Sequence, residues 1–291
     1  MIQYDIVATK SAMLGLSTTV ADVRPYIRTM EHLTLGPQWI GEGIEWDPLG
    51  QLPAVEAALN TVKNHCFIAQ IYFIDQLSGF TFELNQAIGG GNNPGPIMQD
   101  FAAVMGVVNE LGASGANPSA QQRQIVETAL QDVQTRLANL TATLNAASAG
   151  AGTFLGQLSA DAQTLTDGAG AIGPAIAAMQ QNYENAVIQY SGVGGSGIVK
   201  TLEQIVGQQV QALQNVQQTV QAATAAEQPV ASALSQFQAI FVTLNSRYVD
   251  AIKAVQEASG DSFASGLLAF DVPTAQNYWQ QASDYAQGCG L

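Results

Sequence analysis

A heptad repeat of apolar side chains restricts the fold of this chain more than any other feature of its sequence. The side chains recur at alternating spacings of four and three residues, first at Val126, Leu130, Val133, Leu137, Leu140, Leu144 and Ala147. The same spacing recurs in residues 202–223 and, with one additional step of four before Ile252, in residues 230–255. Such a repeat forms the core-facing stripe of a long helix, which must pack against other helices along its length. The sequence therefore predicts an all-α fold, an elongated antiparallel bundle of long helices.

The remaining apolar segments supply packing partners for these helices. Residues 53–88 form a predicted central helix, because their apolar side chains lie nearly all round a helical projection. Shorter helices are predicted at residues 10–30, 97–111 and 273–286. Ser119 is placed to cap the helix that carries the first heptad repeat. Pro229 leaves two alternatives open for residues 198–258, either one kinked helix or two separate helices.

The segment between the two long helices differs from them in composition. Residues 146–197 are rich in Gly and Ala, and most side chains in the run from Gly168 to Met179 are small. We predict that the long helices end here and that the chain reverses. The sequence then divides into a discontinuous helical tail of residues 1–145 and 198–291 and a head region of residues 146–197.

The charge of the chain argues against several classes of partner. Charged residues make up only 11% of the sequence, and nine Lys and Arg face 23 Asp and Glu, for a formal net charge of −14. Nucleic-acid binding depends largely on Lys and Arg that neutralise phosphates, so no nucleic-acid partner is expected. Simple electrostatic docking on anionic lipid is disfavoured for the same reason.

The residues that catalysis would need are scarce. His32 and His65 are the only histidines, and neither lies in a recognisable motif. A packed or surface role for His65 is favoured over a catalytic pair with the adjacent Cys66. The Gly-rich segment 192–197 lacks the residues of a phosphate-binding loop, and the carboxylates are scattered. The sequence predicts no enzyme, no catalytic residue, no metal and no cofactor. An enzyme that uses scattered residues is the alternative.

Two further features leave alternatives open. Cys66 and Cys289 are either two free thiols or one disulfide that ties the C-terminal tail to the bundle. The loop that carries Trp39 and Trp46 either plugs the end of the bundle or forms a recognition or membrane-interface patch.

Targeting signals are weak in this sequence. The N-terminal residues include no basic segment followed by an apolar one, so we expect no recognisable signal peptide. No run of 18 strongly apolar residues occurs, so a permanently inserted single-span helix is not expected and the folded form is expected to be soluble.

The order of the predicted elements resembles that of the ClyA-like α-helical pore-forming toxins. Within that group it looks most like the multi-component toxins of the haemolysin BL and non-haemolytic enterotoxin type. The likeness rests on the two heptad regions, Val126 to Ala147 and Leu202 to Val255, with the segment from Gly168 to Met179 between them, where that family carries its head domain. It covers most of the chain and is architectural, without a short motif.

The resemblance implies a toxin component that is soluble at first and then assembles with other toxin subunits on a target-cell membrane, as a homo- or hetero-oligomer, to form a lytic pore. It also implies secretion, here without a recognisable signal peptide. Because Gly168 to Met179 is short and made of small residues, the chain is closer to the hydrophilic component of such a toxin. The residues that the resemblance implies for membrane or partner contact are Ile172, Pro174, Ile176, Met179, Gly192, Gly194 and Gly195.

A non-lytic helical scaffold, adhesin or secreted interaction protein is the alternative function. It accounts equally well for the heptads and for the scarcity of catalytic residues. The run from Gly168 to Met179, called the Gly/Ala segment below, distinguishes the two functions. A toxin needs this segment to be mobile and to leave its packed position, whereas a scaffold would keep it buried.

Overall fold

A computed structural model describes residues 4–41, 44–90, 93–114, 117–192, 195–258 and 261–289. Helices account for most of this part of the chain, as the sequence predicts. They are α1 (Ile6–His32), α2 (Pro53–Ala69), α3 (Asp75–Ile88), α4 (Pro96–Ser114), α5 (Ala120–Thr166), α6 (Ile172–Tyr190), α7 (Ser196–Glu257), α8 (Asp261–Phe270) and α9 (Val272–Cys289). A π-helical segment, Gln70–Ile74, joins α2 to α3, and a 3-10 turn, Gly168–Gly170, precedes α6. The all-α fold class is therefore confirmed.

Pro229 does not divide the second heptad region. Helix α7 runs without a break through the proline, so the alternative of one helix applies and not that of two. An internal proline removes one backbone hydrogen bond and costs about 3 kcal/mol. Ala226 and Val230, on either side of the proline, are buried, so the core-facing side of α7 continues through it and its packing offsets this cost.

Ser119 caps α5 as predicted. The backbone N–H of Gln122 donates to the Ser119 hydroxyl at 3.1 Å, and the Ser119 N–H donates to the Gln122 side chain at 2.9 Å. This reciprocal pair is a capping box, which satisfies two backbone donors at the start of the helix.

Helix α5 extends further than the sequence analysis predicts. We expected the long helix to end near residue 146, but it continues to Thr166. The reason lies in its buried stripe, which keeps the spacings of three and four through Ala151, Phe154, Leu158, Asp161 and Leu165. A small residue, Ala151, and a carboxylate, Asp161, occupy core positions at which the sequence analysis expected large apolar side chains. The division into a tail and a head region stays a prediction.

The loop before α2 contains a small antiparallel hairpin that was not predicted. Strand β1 (Gln38–Gly41) pairs with strand β2 (Ile44–Trp46), with Trp39 opposite Glu45. A second, two-residue pairing joins β3 (Gly89–Gly90) to β4 (Asn93–Pro94) between α3 and α4. Gly89 has a φ of 75°, and a Cβ atom there would meet the backbone of Gly95, so the turn requires glycine.

The chain divides into two compact units. The first comprises Met1–Thr19, Tyr72–Ala149 and Val230–Leu291. Its core contains an aromatic cluster in which Phe241 has ring centroids 5.1 Å from Phe80, 5.2 Å from Phe237 and 6.2 Å from Trp279. The buried Trp279 indole N–H donates to the Tyr248 hydroxyl at 3.0 Å, so the polar atom of the tryptophan is satisfied.

The second unit comprises Val20–Ile71 and Gly150–Pro229. Its core includes Tyr26, whose ring lies 6.4 Å from that of Phe154, together with the buried Cys66. Cys66 and Cys289 are free thiols in this structure, and their pairing stays one of the two alternatives that the sequence leaves open.

Candidate interaction surfaces

Helix α2 is apolar on two faces, but only one of them is covered. Its buried side chains are Val55, Leu59, Val62, Cys66 and Ala69. On the exposed side lie Phe67 and Ile68, followed just beyond α2 by Ile71, and the three are 53%, 38% and 36% exposed. Ile71 lies four residues after Phe67 and three after Ile68, so it neighbours both of them on the helical surface. We call Phe67, Ile68 and Ile71 the apolar stripe of the second unit.

The apolar stripe continues into the π-helical segment Gln70–Ile74, which contains Ile71. A π-helical turn adds one residue to the backbone loop that each hydrogen bond closes, and such turns are frequent at functional sites. Here it shifts the register of the apolar side chains, which then appear on more than one face. In the first unit, the same helical stretch contributes two further exposed aromatic side chains, Tyr72 and Phe82.

The reversal between α5 and α6 is held by glycine. Gly168 has a φ of 79°, a conformation that glycine adopts readily. A Cβ atom at Gly170 would lie 2.8 Å from the Ala58 Cβ, so only glycine lets the turn approach α2 this closely. The predicted contact residues Ile172 and Met179 are buried in this unit, Pro174 is exposed and Ile176 is partly buried.

The predicted glycines lie at the other end of α6. Gly192 is exposed, with no atom near the position of a Cβ, whereas a Cβ at Gly195 would collide with the Tyr190 carbonyl oxygen. Gly194 lies outside the described residues. The 19 residues of α6 separate these glycines from Ile172 by about 27 Å, at about 1.5 Å per residue. The predicted contact residues therefore form two separate groups in this structure.

The hairpin of β1 and β2 has one packed face and one exposed face. Ile40 is buried against Ala186 and Leu202, and Trp46 packs against this cluster. Trp39, on the opposite face of β1, is 69% exposed. On α6, Ile188 is 76% exposed. One tryptophan thus packs into the unit, while the other presents a large amphipathic side chain to the surface.

His65 pairs with a buried carboxylate rather than with Cys66. Its Nδ1–H donates to the two carboxylate oxygens of Asp161 at 2.9 and 3.1 Å, joining α2 to α5 within the second unit. Asp161 is 4% exposed. Burial raises the pKa of this carboxyl, and the His65 contact offsets only part of that rise.

Cys66 lacks the environment of a reactive thiol. Burial raises its pKa to about 12, so the thiolate is essentially absent near neutral pH. The geometry therefore agrees with a packed role for this cysteine and for its neighbour His65. Among the described residues, no group of three or more His, Cys, Asp or Glu side chains is placed to hold a metal ion.

Replacing Asp161 by asparagine is expected to weaken the pH dependence of stability. The folded chain holds the Asp161 proton more tightly than the unfolded chain does, because the pKa is raised. The carboxyl therefore adds stability as the pH falls through the raised pKa, and this gain is absent at neutral pH. Asparagine retains an oxygen that accepts from His65 but cannot titrate. Urea denaturation between about pH 7 and about pH 4 measures the difference.

Near pH 7 the free energy of unfolding of D161N is expected to equal that of the parent chain or to exceed it by up to about 1 kcal/mol. In acid this difference is expected to disappear, because the parent chain gains stability as Asp161 takes up its proton. Asp167→Asn is the matched control, since Asp167 is exposed at the end of the same helix. Identical pH profiles for D161N and the parent chain would contradict the assignment.

Within the part of the chain that the structure describes, none of the helices combines the length and the apolar character that crossing a membrane requires.

Neither a protein-family model nor a curated protein sequence matches this chain. In structure it is similar to several solved toxin components. The HblL1 toxin component of Bacillus cereus is 11% identical over 97% of this chain and 95% of that one, with a TM-score of 0.49. Soluble SmhB of the tripartite α-pore-forming toxin Smh of Serratia marcescens is 8% identical over 97% and 91%, with a TM-score of 0.49. Soluble AhlB of the tripartite α-pore-forming toxin AHL of Aeromonas hydrophila is 11% identical over 96% and 94%, with a TM-score of 0.46.

Proposed function

We propose that this chain is a component of a multi-part α-pore-forming toxin, exported as a soluble form that assembles with partner subunits on a target-cell membrane to form a lytic pore. The proposal involves no catalytic step. Two kinds of observation support it: the order of the helices in the sequence, and the apolar surfaces that remain exposed in the folded chain.

The apolar stripe of the second unit is the observation that carries the proposal. Large apolar side chains on the exposed face of a helix are costly in water, since burying one contributes about 1.5–3 kcal/mol. Phe67, Ile68 and Ile71 remain exposed although the opposite face of α2 is fully packed. A second state in which a partner subunit or lipid covers them accounts for a helix that is apolar on both sides.

Low charge on the long helices supports the same function. No charged residue occurs between Arg136 and Asp161 on α5, or between Glu203 and Glu227 on α7. Moving a charge out of water costs far more than moving an amide or a hydroxyl. These helix surfaces can therefore enter an oligomer interface without the desolvation cost of ionised side chains.

The test is release of a trapped dye from lipid vesicles and lysis of red cells by the purified chain, alone and with the proteins encoded beside it. Leakage that requires partner proteins is the expected result for a component of a multi-part pore. Absence of both leakage and membrane association in every combination would rule the toxin function out.

A non-lytic scaffold or adhesin is the second candidate, and the burial of Ile172 and Met179 favours it. A toxin that uses the Gly/Ala segment must release these side chains from the second unit. Limited proteolysis in the presence and absence of vesicles distinguishes the two functions. New cleavage between α5 and α6 on membranes supports the toxin, and unchanged protection there supports the scaffold.

A further inference from the structure

A polar groove in the first unit stands apart from the surfaces described above. It has a volume of about 360 Å³ and lies among α3, the start of α4 and α5. Glu83 and Gln86 enter it from α3, and Arg136, Asn139 and Thr143 enter it from α5. Spacings of three and four residues put each set on one face of its helix. In a chain with so few charges, this groove holds side chains of both signs together with two amides and a hydroxyl.

Arg136 is the one positively charged side chain among the described residues that line this groove. It is half-buried, and its Nε has no accessible surface and no acceptor. Within the described residues, its guanidinium forms no hydrogen bond or ion pair; Asp100 interacts with it through charge at longer range. Because Nε is closed off from the groove, a ligand there would contact the two terminal nitrogens of the guanidinium, which are the donors left without an acceptor in the described part of the chain. The planar guanidinium matches a carboxylate, which can accept two parallel hydrogen bonds.

Glu83 and the side-chain amides of Gln86 and Asn139 suit hydroxyl groups rather than an anion. Thr143 donates its hydroxyl hydrogen to Glu83 Oε2 at 2.8 Å. The other oxygen of Glu83 accepts from no side chain or backbone group that the structure describes, so it is open to a hydroxyl donor. Gln86 and Asn139 each carry both a donor and an acceptor, which is what hydroxyl groups pair with.

The remaining wall of the groove is apolar. Leu140 is buried, and Ala87 and Pro96 lie beside it. The C–H face of a sugar ring can pack on such a surface while its hydroxyls face the polar side chains. The volume is near the lower end of the range of about 300–1,000 Å³ for small-molecule sites, which suits a single ring.

We propose that this groove binds an acidic monosaccharide, with the sugar carboxylate on Arg136 and ring hydroxyls on Glu83, Gln86 and Asn139. A sialic acid and a uronic acid share this chemistry. The site deepens the proposed function, since it would let the toxin component recognise a glycan on a target cell, and in that role it rests on the proposed function. The open groove and the net charge of −14 indicate weak binding of an anion.

The test uses the intact chain and free sugars, without membranes. Saturation-transfer NMR and calorimetry are run with N-acetylneuraminic acid, glucuronic acid, glucose and acetate. We expect one or both acidic sugars to bind, and glucose and acetate to bind at least about tenfold more weakly. Equal binding of glucose, equal binding of acetate, or no binding of either acidic sugar overturns the proposal. The ratio between the two acidic sugars identifies the class.

Two variants locate the site. Arg136→Gln removes the guanidinium and is expected to weaken binding of the acidic sugar at least about tenfold. Asn139→Ala, at an exposed position, weakens it by a smaller factor and supplies a result if R136Q folds poorly. Gln131→Ala, on another face of α5, is the control. Unchanged binding by R136Q or N139A overturns the assignment. Lysis with partners but no sugar binding rejects this inference alone, and sugar binding without lysis rejects the toxin alone.

Discussion

Replacing Phe241 by alanine is expected to lower the free energy of unfolding of the first unit by about 3–5 kcal/mol. The ring is fully buried and meets Phe80, Phe237 and Trp279 in edge-to-face contacts. Truncation removes its transfer free energy, leaves a cavity and breaks three aromatic contacts. The loss is a large part of the total stability of a typical domain, which is about 5–15 kcal/mol. Denaturant titration followed by circular dichroism measures it.

Val242→Ala is the matched control for this prediction. Val242 follows Phe241 on α7 and is exposed, so its replacement changes stability by no more than about 0.5 kcal/mol. Alanine is the better helix former, which favours a small gain. A loss of less than about 1 kcal/mol for F241A would show that the aromatic cluster is not closed in solution, and that the first unit is packed differently.

The periodicity of the sequence predicts most of the helical fold because it reports burial directly. The spacings that begin at Val126 and at Leu202 belong to helices that bury those stripes. The end of α5 could not be predicted in the same way. Beyond Ala147 the buried stripe passes through Ala151 and Asp161, and neither small nor charged side chains register as core by their hydropathy.

Asp161 occupies a core position because of a partner that is distant in the sequence. Its carboxylate meets His65, 96 residues earlier, and no local pattern shows that pairing. The hairpin of β1 and β2 was missed for a related reason. Ile40 is buried by residues of α6 and α7, so its strand is stabilised by tertiary contacts rather than by its own short sequence.

The sequence points to the candidate surfaces only in part. The Gly/Ala segment was singled out because its composition is unusual, but two of its side chains, Ile172 and Met179, are buried in the structure. The sequence analysis noted that residues 53–88 are apolar nearly all round, and the side chains of the apolar stripe are among them. That pattern alone suggested a central helix, and only the packing shows that Phe67 and Ile71 are left uncovered.

The double variant F67S/I71S is expected to reduce partner-dependent lysis about tenfold or more while leaving the fold intact. Phe67 is 53% exposed and Ile71 is 36% exposed, so the parts that are buried cost the folded chain about 1–2 kcal/mol when both become polar, less than the stability of a typical domain. In the assembled state each covered side chain contributes about 1 kcal/mol for the surface that is still exposed here. A combined loss of about 2 kcal/mol corresponds to a factor of about 30 in an association constant.

Asn64→Ser, an exposed position three residues before Phe67 on α2, is the control for the substitution itself and should lyse like the parent chain. Circular dichroism and denaturant titration show whether the double variant is folded before lysis is compared. Full lysis by a folded F67S/I71S chain would mean that the apolar stripe is not covered during assembly, and the proposed function would lose the observation that carries it. Because the exposed part of the stripe leaves water only in the second state, a chain that is still fully folded before lysis and yet lyses at least about tenfold less is the combination that a surface used for assembly requires.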